Sequence, residues 1–225
     1  WRVTGTGYGP DGVLLDGDRE ASAAPGTALA DLLRCAARTA RASVERGDTA
    51  WRAVGDQTDA ALVTLVSKAG LPRADGQGDA PLVRDLPFSS HRQWSASVHR
   101  ERDGVTIWVK GAPRVVLDHC AAWRGTGGRE ALGSAAVDTV MEANRHLAER
   151  GERVLALAVG DGGDGPGLPG NLTFLGLVGM SDPPADGGAE AVAALRRAGV
   201  RPVMITGDQR ATADLARNLR LLHDV

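Results

Sequence analysis

The sequence predicts an α+β fold: an antiparallel sheet flanked by helices, followed by the opening of an α/β segment. Three observations predict it. Leu29, Leu32, Leu33, Ala36, Ala37, Ala40 and Val44 fall on one helical face. The stretch from Leu82 to Val109 reads as strands, with Asp103-Gly104 at a hairpin turn. After Asp182-Pro183-Pro184 come helix, strand, loop and helix, the rhythm of a parallel α/β domain.

Each element has its own signal. Trp1 to Tyr8 is expected as a strand, although Gly5 and Gly7 weaken it, and Gly9 to Gly12 as a turn. The first helix is expected from Thr27, with Gly47 closing it. Trp51 to Val54 is a short strand. Asp56 or Thr58 then caps a second helix that ends at Gly70. Strands follow at Leu82 to Phe88, Trp94 to Arg100 and Val105 to Val109. Pro113 opens a short helix over Val115 to Cys120. Ser134 caps a longer helix closed by Gly151, with Val137, Val140, Met141, Asn144, Leu147 and Ala148 inward. Val154 to Val159 and Leu172 to Met180 are strands on either side of a Gly-rich loop. The last elements are a helix over Ala189 to Ala198, a strand over Val200 to Ile205 and a helix over Ala211 to Leu222. The hinge at Asp182 divides the chain into residues 1–181 and 182–225, and the second piece is too short to bury its own core well. It is expected to be part of something larger, as is a chain that begins Trp-Arg-Val.

Composition excludes several classes. The chain has 225 residues, and its 30 Gly and 11 Pro stay below the roughly 25–30% that marks low-complexity sequences. A net charge of −2 argues against a general nucleic-acid binder. No run of 18 apolar residues offers a membrane span, and no secretory leader is legible. Two cysteines cannot build a disulfide framework or a complete Cys-based zinc site, which fits a reducing, cytosolic setting. The five histidines show no metal-ligand spacing, so no metal site is expected. Of 26 basic residues only Lys68 and Lys110 are lysine. In a chain that writes Arg by default, a Lys needs a reason.

Candidate chemistry lies at a few points, each open to a plainer reading. Thr206-Gly207-Asp208 follows an apolar strand, where a hydroxyl and an open amide can hold phosphate; an ordinary βα loop capped by Asp208 fits equally. Lys110 and Gly111 end another strand, an ammonium beside a backbone that a ligand can approach, or a surface lysine. Phe88 could stack on a base or belong to the core. Arg153 could grip phosphate or be one solvated Arg among 24. Asp59 could accept from an adenine amino group or favour a helix N-terminus.

Read in order, the motifs resemble the cytoplasmic region of a P-type, cation-transporting ATPase of the calcium-pump-like (type II) branch. They are Val3-Thr4-Gly5-Thr6-Gly7-Tyr8, Gly55-Asp56-Gln57-Thr58-Asp59-Ala60-Ala61-Leu62, Phe88-Ser89-Ser90, Lys110-Gly111-Ala112-Pro113, Arg153-Val154-Leu155-Ala156, Gly179-Met180-Ser181-Asp182-Pro183-Pro184 and Met204-Ile205-Thr206-Gly207-Asp208. The resemblance implies a nucleotide-binding (N) domain over 1–181 and the start of a HAD-like, Rossmannoid phosphorylation (P) domain over 182–225. It implies ATP with Mg²⁺, most of whose ligands would lie outside this chain. Phe88 would stack on adenine, Lys110 and Gly111 would lie near the base, and Asp59 would face the amino group. Arg153 would reach the phosphates, with Leu155 beside the nucleotide and Asp182 near the ribose. Thr206 and Gly207 would cradle the transferred phosphoryl group, with Asp208 supporting the loop.

The implied partners are the remaining P, actuator and transmembrane domains of one polypeptide in a cell membrane, with no direct membrane contact by this piece. The family's Asp-Lys-Thr-Gly-Thr segment, whose Asp takes the phosphate, and its Gly-Asp-Gly-x-Asn-Asp segment are not in this sequence. The fragment alone is therefore expected to be catalytically incompetent. Two departures stand out. Ala185 replaces an Arg, and His91, Gln93, Trp94 and Ser95 stand where basic and Met residues are usual. The alternative they raise is a degenerate or regulatory nucleotide-binding module without transport.

Overall fold

The computed structural model describes residues 1–71, 80–102, 104–125, 127–162, 167–181, 188–201 and 203. Three short strands come first: β1 (Arg2–Val3), β2 (Leu14–Asp16) and β3 (Arg19–Glu20), an antiparallel sheet in that order. The strand expected over Trp1 to Tyr8 stops at Val3. Gly5 and Gly7 turn to φ of 75° and 68°, outside any strand. The loop they begin wraps the ammonium of Lys68, which donates to the Thr4 and Gly5 carbonyls at 3.1 and 3.0 Å.

Helix α1 (Ala28–Thr39) is capped by the Thr27 hydroxyl, which accepts from the Ala30 amide, and it buries Leu29, Leu32, Leu33, Cys35 and Ala36. The expected helix through Val44 is too long. Ala40 takes φ −72° and ψ 133°, and the chain turns into β4 (Ser43–Arg46), antiparallel to β5 (Trp51–Val54). Helix α2 (Gln57–Lys68) is capped by Asp56, whose carboxylate accepts from the Asp59 amide at 3.0 Å. Gly70 ends it at φ 68°.

Next come β6 (Leu82–Leu86), β7 (Trp94–Glu101), β8 (Gly104–Gly111) and the short helix α3 (Pro113–Leu117). Sequence periodicity misses the following pair, β9 (Cys120–Gly125) and β10 (Gly128–Ala131), and extends α3 into the first of them. Helix α4 (Ser134–Glu149) buries Val140, Asn144 and Ala148, four residues apart. Strands β11 (Arg153–Asp161) and β12 (Leu172–Met180) and helix α5 (Gly188–Arg197) complete the described elements. The strand expected from Val200 does not start there. The Val200 amide donates to the Leu195 carbonyl at 2.9 Å and finishes α5. Arg201 and Val203 are not in a strand either, and residues 202, 204 and 205, with the helix expected over Ala211 to Leu222, lie outside the described residues.

Seven strands form one sheet in the order β10-β9-β12-β11-β8-β7-β6. The expectation of an antiparallel sheet needs correction, because β12 runs parallel to β9 and makes the sheet mixed. Helix α1 lies on β7 and β8 and packs against α2. Between them Leu32, Cys35, Ala36, Leu62, Val66, Trp108, Leu157 and Leu175 form an apolar core, and a second cluster joins Leu14 to Leu29 and Leu33. The chain divides into two compact units, Trp1–Val137 with Leu155–Val178 and Asp138–Val154 with Gly179–Val225. The seven-stranded layer with α1 and α2 is an α/β arrangement of sheet and flanking helices, while a HAD-like segment is not among the described elements.

Candidate functional site

One end of the sheet gathers four of the ten singled-out residues, Phe88, Lys110, Gly111 and Leu155. Strand register sets Gly111 at the end of β8 opposite Trp94 at the start of β7, and opposite Ala156 near the start of β11. Lys110 lies opposite Ser95 and Leu157. Phe88 follows β6, the neighbour of β7, and Leu155 precedes Ala156.

Lys110 does not reach solvent. It is 8% exposed, as is Asp59, and its ammonium donates to Asp59 Oδ1 and, at 2.8 Å, to the Thr39 carbonyl. Asp59 Oδ2 accepts the Arg41 amide at 2.8 Å. The cause is in the helices. Thr39 ends α1, so its carbonyl has no intrahelical donor, and a cation there is favoured. Asp59 stands in the first turn of α2, where an anion is favoured. Lys110 thus joins the negative end of one helix to an acid at the positive end of the next. The early stop of α1 is what opens the Thr39 carbonyl to it.

Gly111 is required by the fold. A Cβ there would lie 2.6 Å from the Gln93 carbonyl oxygen and 2.7 Å from Trp94 Cβ. The close backbone approach that the sequence suggests for a ligand is made by β7 itself. Beside it, the Ala112 amide donates to the Gln93 carbonyl at 2.9 Å, tying the Lys110 segment to the loop that carries Phe88.

Phe88 is 64% exposed, whereas the only other phenylalanine, Phe174, is 4% exposed. Its loop is nevertheless well braced. The Ser89 carbonyl accepts the Arg92 and Gln93 amides at 3.1 and 2.8 Å, and Gln93 closes the turn at φ 57°. Trp94, one of the departures, is buried under the Arg92 guanidinium, 4.7 Å from its ring centroid. Leu155 is half-buried against the α1–α2 core. Arg153 is exposed and belongs to the other compact unit. Asp182, Thr206, Gly207 and Asp208 lie outside the described residues.

Three further residues escape sequence reading. Arg92 and the Arg41 amide carry no motif signal, because 24 arginines hide any one of them. Lys68 is different: the rarity that marks Lys110 marks it too. Burial lowers its pKa, against the raising effect of Asp11.

Comparison with known proteins agrees with this architecture. The family model for the P-type ATPase, cytoplasmic domain N, matches residues 28–187. The chain belongs to this family. It is 39% identical over 219 residues to a probable cation-transporting ATPase F of Mycobacterium tuberculosis, covering 94% of this chain and 24% of that protein. It is 31% identical to a calcium-transporting ATPase of Bacillus subtilis, covering 99% of this chain and 26% of the relative. A calcium-transporting ATPase type 2C member 1 of Homo sapiens is 38% identical over 94% of the chain and 22% of its own length. The chain thus spans about a quarter of the length of the curated relatives it matches. No described helix is long and apolar enough to cross a membrane.

Proposed function

We propose that this chain binds ATP as the N domain, residues 1–181, of a P-type cation-transporting ATPase of the calcium-pump-like branch, and that residues 182–225 open its P domain. In the longer protein it would couple ATP hydrolysis, through an aspartyl-phosphate, to cation movement across a membrane, with the actuator, transmembrane and remaining P domains as its partners. The relatives, named as cation- and calcium-transporting ATPases, support the transport context.

The observation that carries nucleotide binding is Phe88. A fold that buries Trp94, Trp108 and Phe174 to 4–5% leaves this ring 64% open at the end of the sheet where Lys110, Gly111 and Leu155 gather. An open aromatic face fits a purine base. Asp59 fits the amino edge in a narrower way. Each of its oxygens already accepts one hydrogen bond, and a carboxylate keeps further acceptor capacity. Lys110 then acts chiefly by holding Asp59. Arg153 is assigned to the phosphates, Asp182 to the ribose side, and Thr206, Gly207 and Asp208 to the phosphoryl cradle. Magnesium accompanies the triphosphate in this reading. Most of its protein ligands are assigned to the rest of the longer protein.

A calorimetric titration of ATP into the chain, beside Phe88→Ala, tests the reading. Base stacking on an aromatic contributes roughly 1–3 kcal/mol, so Phe88→Ala should weaken binding by about tenfold with the melting temperature unchanged. Equal affinities would remove Phe88 from the site. A folded wild-type chain that takes no ATP would favour the regulatory, degenerate module.

A further inference from the structure

We propose that Arg92 is a positioning residue that sets the pose of Phe88; the proposal rests on the reading of Phe88 as the base platform. An aromatic ring that is 64% exposed is not held by packing. Its direction has to come from its own backbone, and Arg92 bonds to the residue on each side of it, the Pro87 backbone and the Ser89 side chain. Its Nη2 donates to the carbonyl of Pro87, the residue before Phe88, at 2.7 Å. Its Nε donates to the hydroxyl of Ser89, the residue after, at 3.3 Å. The Ser89 hydroxyl also accepts the Arg92 amide at 3.2 Å.

The gripping group is itself anchored. The guanidinium carbon lies over the Trp94 ring, whose buried indole is fixed in the first position of β7, at a distance within the range of cation–π attraction. Gln93, between them, takes the left-handed φ of 57° that folds Arg92 back over Phe88's neighbours, and its carbonyl is held by Ala112. Only a planar, forked cation can stack on one face and donate from two edges at once. The Trp94 that replaces a more usual residue of the motif therefore has a role: it is the anvil for the clamp. Nε and Nη2 of Arg92 both donate within the loop, which is the ground for assigning it to the loop.

The test uses the fact that the chain has two phenylalanines. Labelled with 4-fluorophenylalanine, it gives two fluorine resonances, one from buried Phe174 and one from Phe88. Arg92→Ala should move the Phe88 resonance towards its solvent-averaged position and leave Phe174 in place. In ATP titrations Arg92→Ala should weaken binding by about fivefold, and Arg92→Lys should not restore it. In the Phe88→Ala background Arg92→Ala should change the affinity by less than about 1.5-fold, because Arg92 acts through the ring. A full fivefold loss in that background, or a Phe88 resonance that ignores Arg92, overturns the proposal. A wild-type chain that binds no ATP while the resonance still responds overturns the nucleotide reading alone and supports Arg92 as the group that orders Phe88.

Discussion

Lys110 and Asp59 stand out in the sequence on separate grounds, and the fold makes them one unit. Both are buried, and each satisfies the other at the junction of two helix ends. Removing one partner of such a pair leaves a charge without compensation, at a cost of about 3–5 kcal/mol. Lys110→Met should therefore lower the urea-unfolding free energy by about 3 kcal/mol. Adding Asp59→Asn should recover part of the loss; a single-variant loss under about 1 kcal/mol would contradict the pair's role. This is why Phe88, and not Lys110, is the residue to change when ATP binding is measured. His99 makes a second prediction. It is 3% exposed, its Nδ1 lies 2.9 Å from the Ala80 carbonyl oxygen, and its pKa is lowered, chiefly by burial, with Arg38 and Arg41 adding to the effect. A histidine with a depressed folded pKa binds fewer protons folded than unfolded. Stability is then full above the unfolded value of about 6.5 and falls as pH drops through the depressed folded one. Melting temperatures between pH 7.5 and 5.5 should fall for the wild type and fall less for His99→Gln. Parallel curves would remove His99 as the cause.

Where a single signal ruled, elements were legible in the sequence; where tertiary contacts ruled, they were not. Helix α2 lies between Asp56 and Gly70, both readable as caps, and β12 runs over Leu172–Met180 as its apolar run suggests. Helix α1 was overextended because Val44 continues its apolar period. The break at Ala40 is favoured by something periodicity does not carry, the ammonium of a lysine seventy residues on. The β9–β10 pair has Ala, Gly and Arg where strand signals look for branched residues, and sheet pairing with β12 supplies its order. Of the candidate positions legible in the sequence, Phe88, Lys110, Gly111 and Leu155 come together at one sheet end. Their division of labour was not, since Gly111 serves strand packing and Lys110 an internal pair. Gly111→Ala forces a Cβ against the backbone of β7. It should cost about 1–3 kcal/mol in thermal unfolding, as overpacking does, and weaken ATP binding by shifting the Gln93–Ala112 link. An unchanged melting curve would show that β7 can give way.

For the molecule as a whole, one end of the seven-stranded sheet presents the open ring of Phe88, in a chain whose relatives include cation-transporting ATPases. The chemistry that such an enzyme needs is mostly positioning and charge neutralisation. In the proposed reading this chain contributes the positioning, with Phe88 as the base platform, the buried Lys110–Asp59 pair in the same layer and a loop held by Arg92. Its net charge of −2 offers no general attraction for a polyanion, so the proposed affinity for ATP would have to come from that local geometry. The most direct measurement follows the two fluorine resonances of the 4-fluorophenylalanine-labelled chain as ATP is added. The account predicts that the Phe88 resonance moves saturably, shifted by the ring current of the stacked base, while that of Phe174 stays where it is. Saturable ATP binding with the Phe88 resonance unmoved would contradict it.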